Sequence, residues 1–175
     1  MPLKIYLAGP DVFLDDAKER LDAKVRLCKL YGAIGISPMD TTYAAQENPS
    51  ERTSRRIFQG NMDLIRSSDI IIADCNPFRG SPMVDDGTAF ELACGYILNK
   101  GLYGYADDLS STEERLKILG GILRDGKVYD ARGYAAEPFG NPMNLMLYEA
   151  IIERGTFIIG TIEDALKHLM VIGVL

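Results

Sequence analysis

Ile70-Ile71-Ile72-Ala73, then Asp85-Asp86-Gly87-Thr88-Ala89-Phe90-Glu91-Leu92-Ala93-Cys94-Gly95-Tyr96-Ile97-Leu98-Asn99, then Leu102-Tyr103-Gly104-Tyr105 are three consecutive segments of opposite habit. The outer two are short and β-rich. The middle one is too long for a strand and repeats Phe90, Ala93, Cys94 and Ile97 at the i, i+3, i+4, i+7 spacing of an apolar helix face. Strand, helix and strand make a βαβ unit, whose strands run parallel. An Asp, Gly and Thr cluster opens the helix and sets Glu91 in its first turn, beside apolar surroundings. A carboxylate so placed can act as nucleophile or acid. Thr88-x-x-Glu91 also fits a capping box, in which the pair merely satisfies backbone N–H groups.

The same alternation extends outward. Residues 5–8 and 33–36 read as further strands, and 14–30, 52–67 and 112–123 as helices, with 144–152 a helix and 156–159 a last strand. Ser110-x-x-Glu113, Ser111-x-x-Glu114 and Thr161-x-x-Asp164 add helix-start signals. The expected architecture is a single α/β domain, a doubly wound parallel sheet covered on both faces. No internal repeat or low-complexity segment interrupts it.

At 175 residues, with 47% hydrophobic and 25% charged residues, the chain has the make-up of one globular domain. A net charge of −6 argues against nucleic-acid and anionic-membrane surfaces, which need clustered Lys and Arg. No apolar run is long enough to span a membrane, and the start runs straight into a strand, so a cytoplasmic location is expected. Cys28, Cys75 and Cys94 are widely spaced, and His168, expected at the surface of a terminal helix, is the sole histidine. Zinc sites, Ser-His-Asp triads and Cys-His dyads therefore lose ground, and no metal site is expected.

In open α/β sheets, ligands bind beyond the carboxyl ends of the strands. Here those positions hold Gly9-Pro10-Asp11, Pro38-Met39-Asp40, Asp74-Cys75-Asn76-Pro77-Phe78-Arg79-Gly80 and Asp107-Asp108. Neither G-x-G-x-x-G after the first strand nor G-x-x-x-x-G-K-[ST] is present, which disfavours dinucleotide and ATP chemistry. Asp and Asn also commonly end strands and cap helices, so each of Asp11, Asp40 and Asp74 has a structural reading beside the functional one.

Three segments together resemble the nucleoside 2-deoxyribosyltransferase family. They are Lys4-Ile5-Tyr6-Leu7-Ala8-Gly9-Pro10-Asp11-Val12-Phe13; Asp69 to Asp74 continuing through Pro77-Phe78-Arg79-Gly80 to Asp85-x-Gly87-Thr88-Ala89-Phe90-Glu91; and Glu137-Pro138-Phe139-Gly140-Asn141-Pro142-Met143-Asn144-Leu145-Met146-Leu147. Residues 106–136 match least and read as a variable insertion. The resemblance implies a flavodoxin-like fold and transfer of 2-deoxyribose between nucleobases, without metal or cofactor. It matches Glu91 to the nucleophile, Tyr6 to the tyrosine that holds it, and Asp85 to a substrate-binding aspartate. Gly9, Asp11, Asp40, Asn61, Asp74, Arg79, Gly87 and Met146 are expected at the substrate site. Asn144 is expected to reach a neighbouring subunit's sugar, which implies a homo-oligomer with shared sites.

One position departs from the pattern. The family commonly carries an aspartate eight residues before Asp69, and here that residue is Asn61, which cannot deliver a proton. Asp63 does not replace it, because two helical residues stand about 200° apart around the axis. Implied partners are deoxyribonucleosides and free nucleobases. The alternatives are hydrolysis of 2-deoxynucleoside 5-monophosphates by the same nucleophile, with Arg79 toward the phosphate, and a nucleotide-sensing module without turnover.

Overall fold

The computed structural model describes residues 1–40 and 51–175. The chain runs β1 (Lys4–Ala8), α1 (Ala17–Leu30), β2 (Ile34–Ile36), α2 (Glu51–Ser67), β3 (Ile70–Asp74), α3 (Asp86–Ile97), β4 (Gly101–Ala106), α4 (Thr112–Ile118), β5 (Ile122–Arg124), β6 (Lys127–Tyr129), α5 (Leu145–Arg154), β7 (Gly155–Ile159) and α6 (Ile162–Val171). Five strands form one parallel sheet in the order β2-β1-β3-β4-β7, and β5 and β6 pair separately as an antiparallel hairpin. This is the flavodoxin-like order, and it reverses direction between β1 and β3.

Period-2 alternation assigns the strand side chains to two cores. Ile5, Leu7, Ile70, Ile72, Tyr103 and Tyr105 face α1 and α6, where Cys28, Leu166 and Leu169 meet them. Tyr6, Ala8, Ile71, Ala73 and Leu102 face the other way, toward Ile65 of α2, Leu92 of α3 and Ile151 of α5. Tyr6 thus projects into the layer that contains α3.

α3 buries a different face from the one that periodicity suggested. Thr88, Leu92 and Gly95 are its buried residues, while Phe90 is 51% and Ile97 76% exposed. Gly95 decides this. A Cβ there would stand 2.5 Å from Ile71 Cδ1 and 2.8 Å from Leu102 Cδ2, so the missing side chain lets the helix settle directly on β3 and β4. Phe90 instead packs beside Phe58 of α2, ring centroids 6.0 Å apart.

The helix expected over 112–123 is also shorter than the sequence reading gave. It ends at Ile118, Gly120 takes φ +91, and the β5–β6 hairpin follows. Its start is the Ser111/Glu114 capping box, with Ser111 N donating to Glu114 Oε2 at 2.8 Å and Glu114 N to Ser111 Oγ at 3.2 Å. Thr161 and Asp164 close a second box at α6, where His168 is half-buried. No helix among the described residues is long and apolar enough to cross a membrane.

Candidate active site

A cavity of about 430 Å³ lies beyond the strand ends at the switch between β1 and β3. Its lining comes from Gly9, Val12 and Phe13 after β1, Pro38 and Met39 after β2, Ile57 and Asn61 on α2, and Asp85, Gly87, Thr88 and Glu91 at the start of α3. That volume is within the range of small-molecule sites, and the mixture of apolar walls with a few polar groups is characteristic of them.

Glu91 is the centre of the arrangement. Tyr6, wholly buried, donates its hydroxyl to Glu91 Oε1 at 2.5 Å. Burial is the main influence that pushes the Glu91 carboxyl up to about 7, the charge of Asp85 adds to it, and the Tyr6 hydrogen bond opposes it. Burial, followed by the adjacent Glu91 charge, holds the Tyr6 phenol far above its ordinary range, so it remains a donor. Thr88 and Glu91 form no capping box, because α3 begins three residues earlier than that spacing implies: Asp85 is the N-cap, and Glu91 lies in the second turn of the helix rather than the first.

The cap is Asp85. Its Oδ2 accepts from Thr88 N at 2.9 Å and from Thr88 Oγ1 at 3.1 Å, and Oδ1 takes no hydrogen bond from the described residues. A Cβ on Gly87 would stand 3.0 Å from that Oδ2, so a glycine is what fits beside the carboxylate. Asp85 therefore caps α3 and lines the cleft at once. Asn61 Oδ1 is buried at the cleft without a hydrogen-bond partner among the described residues.

Two of the expected site acids are directed elsewhere. Lys24 of α1 donates to Asp11 Oδ2 at 2.5 Å and to Tyr105 Oη at 2.9 Å, and its Nζ lies 3.8 Å from Asp74 Oδ2. Tyr105 in turn donates to Asp74 Oδ2 at 3.2 Å, while Asp74 Oδ1 accepts from Asn76. Asp11 and Asp74 are thus bound into a buried ion cluster and do not line the cavity. The reason is a cation 13 residues past Asp11 that the strand-end reading did not weigh. Asp40 is likewise outside the lining, and its Oδ2 accepts from Ser37 N at 2.8 Å within its own turn. Gly9 does line the cavity, and a Cβ there would come within 3.0 Å of Asp74 Cβ.

Arg79 lies at the rim rather than in the cavity. Its guanidinium stands 4.8 Å from the ring centroid of Phe13 and 4.7 Å from that of Phe78. Asn144 caps α5 through Oδ1 on Met146 N, and its Nδ2 donates to Glu137, which also accepts from Leu145 N. Neither Asn144 nor the exposed Met146 lines the cleft of its own chain. The cleft walls Val12, Phe13, Met39 and Ile57 were not singled out from sequence. Val12, Phe13 and Met39 carry the available signal: apolar residues left exposed just after strand ends. Among the described residues, no group of three or more His, Cys, Asp and Glu side chains is placed to hold a metal ion.

The family model described as nucleoside 2-deoxyribosyltransferase matches residues 5–146. The chain belongs to the nucleoside 2-deoxyribosyltransferase family. Among solved structures, it is similar to a 2-deoxyribosyltransferase of Leishmania mexicana, with 31% identity and a TM-score of 0.71 over 96% of this chain and 97% of that one. It shares its fold with the 2-deoxyribosyltransferase of Bacillus psychrosaccharolyticus, at 20% identity and a TM-score of 0.59 over 93% and 90% of the two chains. An uncharacterized protein of Schizosaccharomyces pombe is 32% identical over 142 residues, which are 79% of this chain and 59% of that protein. The chain thus spans about three fifths of that relative's length. The family match ends inside the first turn of α5 and takes in every residue that lines the cavity.

Proposed function

We propose that this protein transfers a 2-deoxyribosyl group from one nucleobase to another through a covalent ester on Glu91. The observation that carries the reading is the Tyr6–Glu91 pair, 2.5 Å apart, with Glu91 in the second turn of α3 and facing a cleft of nucleoside size. The Glu91 carboxylate attacks the anomeric carbon, the bond to the base nitrogen breaks, and its electron pair leaves with the base. A nitrogen of the second base then attacks the same carbon, the ester C–O bond breaks, and Glu91 returns as carboxylate. Two displacements retain configuration. Both steps balance without a cofactor or metal.

Tyr6 occupies Oε1, and Oε2 takes no hydrogen bond from the described residues, which supports its use toward the sugar. Asp85 Oδ1 and Asn61 are assigned to substrate contacts beside Gly9 and Gly87. Since Asn61 has no acidic proton to give, the leaving base takes one from water or from Asp85 in its protonated form, and the incoming base returns a proton to the same group as its nitrogen attacks. Asn144 is assigned to a neighbouring subunit's sugar, which makes the working form a homo-oligomer.

Hydrolysis of 2-deoxynucleoside 5-monophosphates is the second reading, and one observation favours it: Arg79 sets a cation at the rim of the cleft. A single assay separates the readings. Incubation of deoxyadenosine, and in parallel of its 5-monophosphate, with a second base should give the exchanged nucleoside from deoxyadenosine. Release of free deoxyribose, or turnover confined to the 5-monophosphate, would replace transfer with hydrolysis, and no reaction would leave a binding module.

A further inference from the structure

We propose that Lys24 is a positioning residue for the nucleobase side of the cleft. The inference rests on the functional reading above and adds a device that lies outside the cavity. Residues Pro10–Phe13 form a 3-10 turn that contributes Val12 and Phe13 to the cavity wall, yet both side chains are themselves largely exposed, at 40% and 54%. On the outside, Phe13 stacks against Phe78, ring centroids 5.3 Å apart, and against Arg79, which leaves the inner side of the turn to be held by other means. The turn's one buried residue is Asp11, and Asp11 is what Lys24 grips.

The grip is fastened to the sheet. Lys24 also donates to Tyr105 near the end of β4, and Tyr105 donates to Asp74 at the end of β3. Asn76 extends the chain of contacts, donating to Asp74 and accepting from Asp107 N after β4. One cation thus joins α1, the wall-forming turn and the carboxyl ends of two central strands. Its side chain is 16% exposed, and those of Asp11 and Asp74 are 9% and 17%, so the pairings are shielded from water and hold geometry better than surface pairs do. Gly9 adds a limit from the same direction, since its backbone already lies against Asp74.

Val12 and the ring of Phe13 give this wall an apolar, aromatic face suited to a planar base, so its placement sets how well the base fits rather than how reactive Glu91 is, which Tyr6 and α3 position. Loosening the turn should weaken base binding roughly tenfold while leaving turnover at saturation close to that of the parent, the pattern of a lost contact that is equally strong in ground and transition states. Asp11→Asn removes the charge and keeps the shape; Lys24→Met removes the cation; Lys24→Arg restores it. The experiment measures KM and kcat for transfer from deoxyadenosine, together with calorimetric binding of free adenine, for the parent and all three variants.

The expected result is a higher KM and weaker adenine binding in Asp11→Asn and Lys24→Met, a nearly constant kcat in Asp11→Asn, and recovery in Lys24→Arg. Loss of thermal stability with unchanged KM and adenine affinity in Asp11→Asn would overturn the proposal and leave the cluster purely structural. A parent that binds adenine but transfers nothing would refute the functional reading, and adenine affinity alone would then decide this one. A parent that neither binds adenine nor transfers would overturn both.

Discussion

Tyr6 and Glu91 are 85 positions apart in sequence and 2.5 Å apart in space, joined by a hydrogen bond whose donor has no exposed surface. The interior strand β1 thereby buttresses a carboxylate on α3, and the carboxylate's basicity becomes a property of the core. Three influences of known direction act on it, and two of them, the Tyr6 hydrogen bond and the Asp85 charge, can be removed separately.

The first prediction is a pH profile. A nucleophilic Glu91 must be ionised, so kcat/KM for the donor should fall as pH drops through about 7, with the slope of one proton. Tyr6→Phe deletes the hydrogen bond that lowers the Glu91 pKa, and its acid limb should move to higher pH. Asp85→Asn deletes a charge that raises it, and its limb should move lower. A rate that stays flat between about pH 5 and pH 8 in the folded parent would exclude Glu91 from the role.

The same shift has a cost in stability, with a definite sign. The folded protein holds the Glu91 proton more tightly than the unfolded chain does, so this contribution is complete below about pH 4.5 and is lost as pH rises through about 7. Glu91→Gln is neutral at every pH and keeps an oxygen for Tyr6. At pH 8 it should be more stable than the parent by up to about 3 kcal/mol, with the two converging near pH 4.5. Intact mass should show a deoxyribosyl adduct on the parent and none on Glu91→Gln. Urea melts at the two pH values check the first part, and equal stability throughout would contradict it.

Gly95→Ala tests how α3 is seated. The new methyl would meet Ile71 Cδ1 at 2.5 Å, and crowding of this kind costs about 1–3 kcal/mol. Replacing a mid-helix glycine by alanine returns about 1 kcal/mol of helix propensity. The crowding term should win, for a net loss of about 1 kcal/mol by urea denaturation, with kcat reduced because α3 carries Glu91. A stabilised and fully active variant would show that the close approach is not required.

Subunit mixing tests the assignment of Asn144, which lies outside its own chain's cleft. Glu91→Ala and Asn144→Ala should each be inactive alone. Exchanged together they should regain part of the activity, since some mixed sites combine an intact Glu91 with an intact Asn144. Mixtures that stay inactive despite demonstrated exchange would assign Asn144 to capping α5 alone.

What was legible in the sequence was whatever depends on neighbours along the chain. All five strands of the main sheet lie within two residues of their expected ends, because β-rich runs and the turns that bound them are local signals. The Ser111 and Thr161 boxes formed for the same reason. Misreadings occurred where a distant group competed. Thr88 and Glu91 have the spacing of a box, but Tyr6 claims the carboxylate and Asp85 supplies the cap. Asp11 and Asp74 stand at strand ends as site acids do, but Lys24 draws them into the sheet's flank. The α3 face was assigned by counting apolar residues, whereas a residue with no side chain, Gly95, is what faces the sheet.

That contact at Gly95 separates two kinds of evolutionary change. The helix that carries Glu91 rests at Gly95 directly on the side chains of Ile71 and Leu102, so any larger residue at that point pushes α3 off the sheet. The cleft's remaining walls come from turns after β1 and β2 and from α2, none of which shares that contact. On the proposed function, exchange of residues such as Val12, Phe13, Met39 or Ile57 would change which base fits while leaving the seating of α3 on the sheet intact. On that reading, the placement of Glu91 descends with the core, and the shape of the cleft can diversify around it.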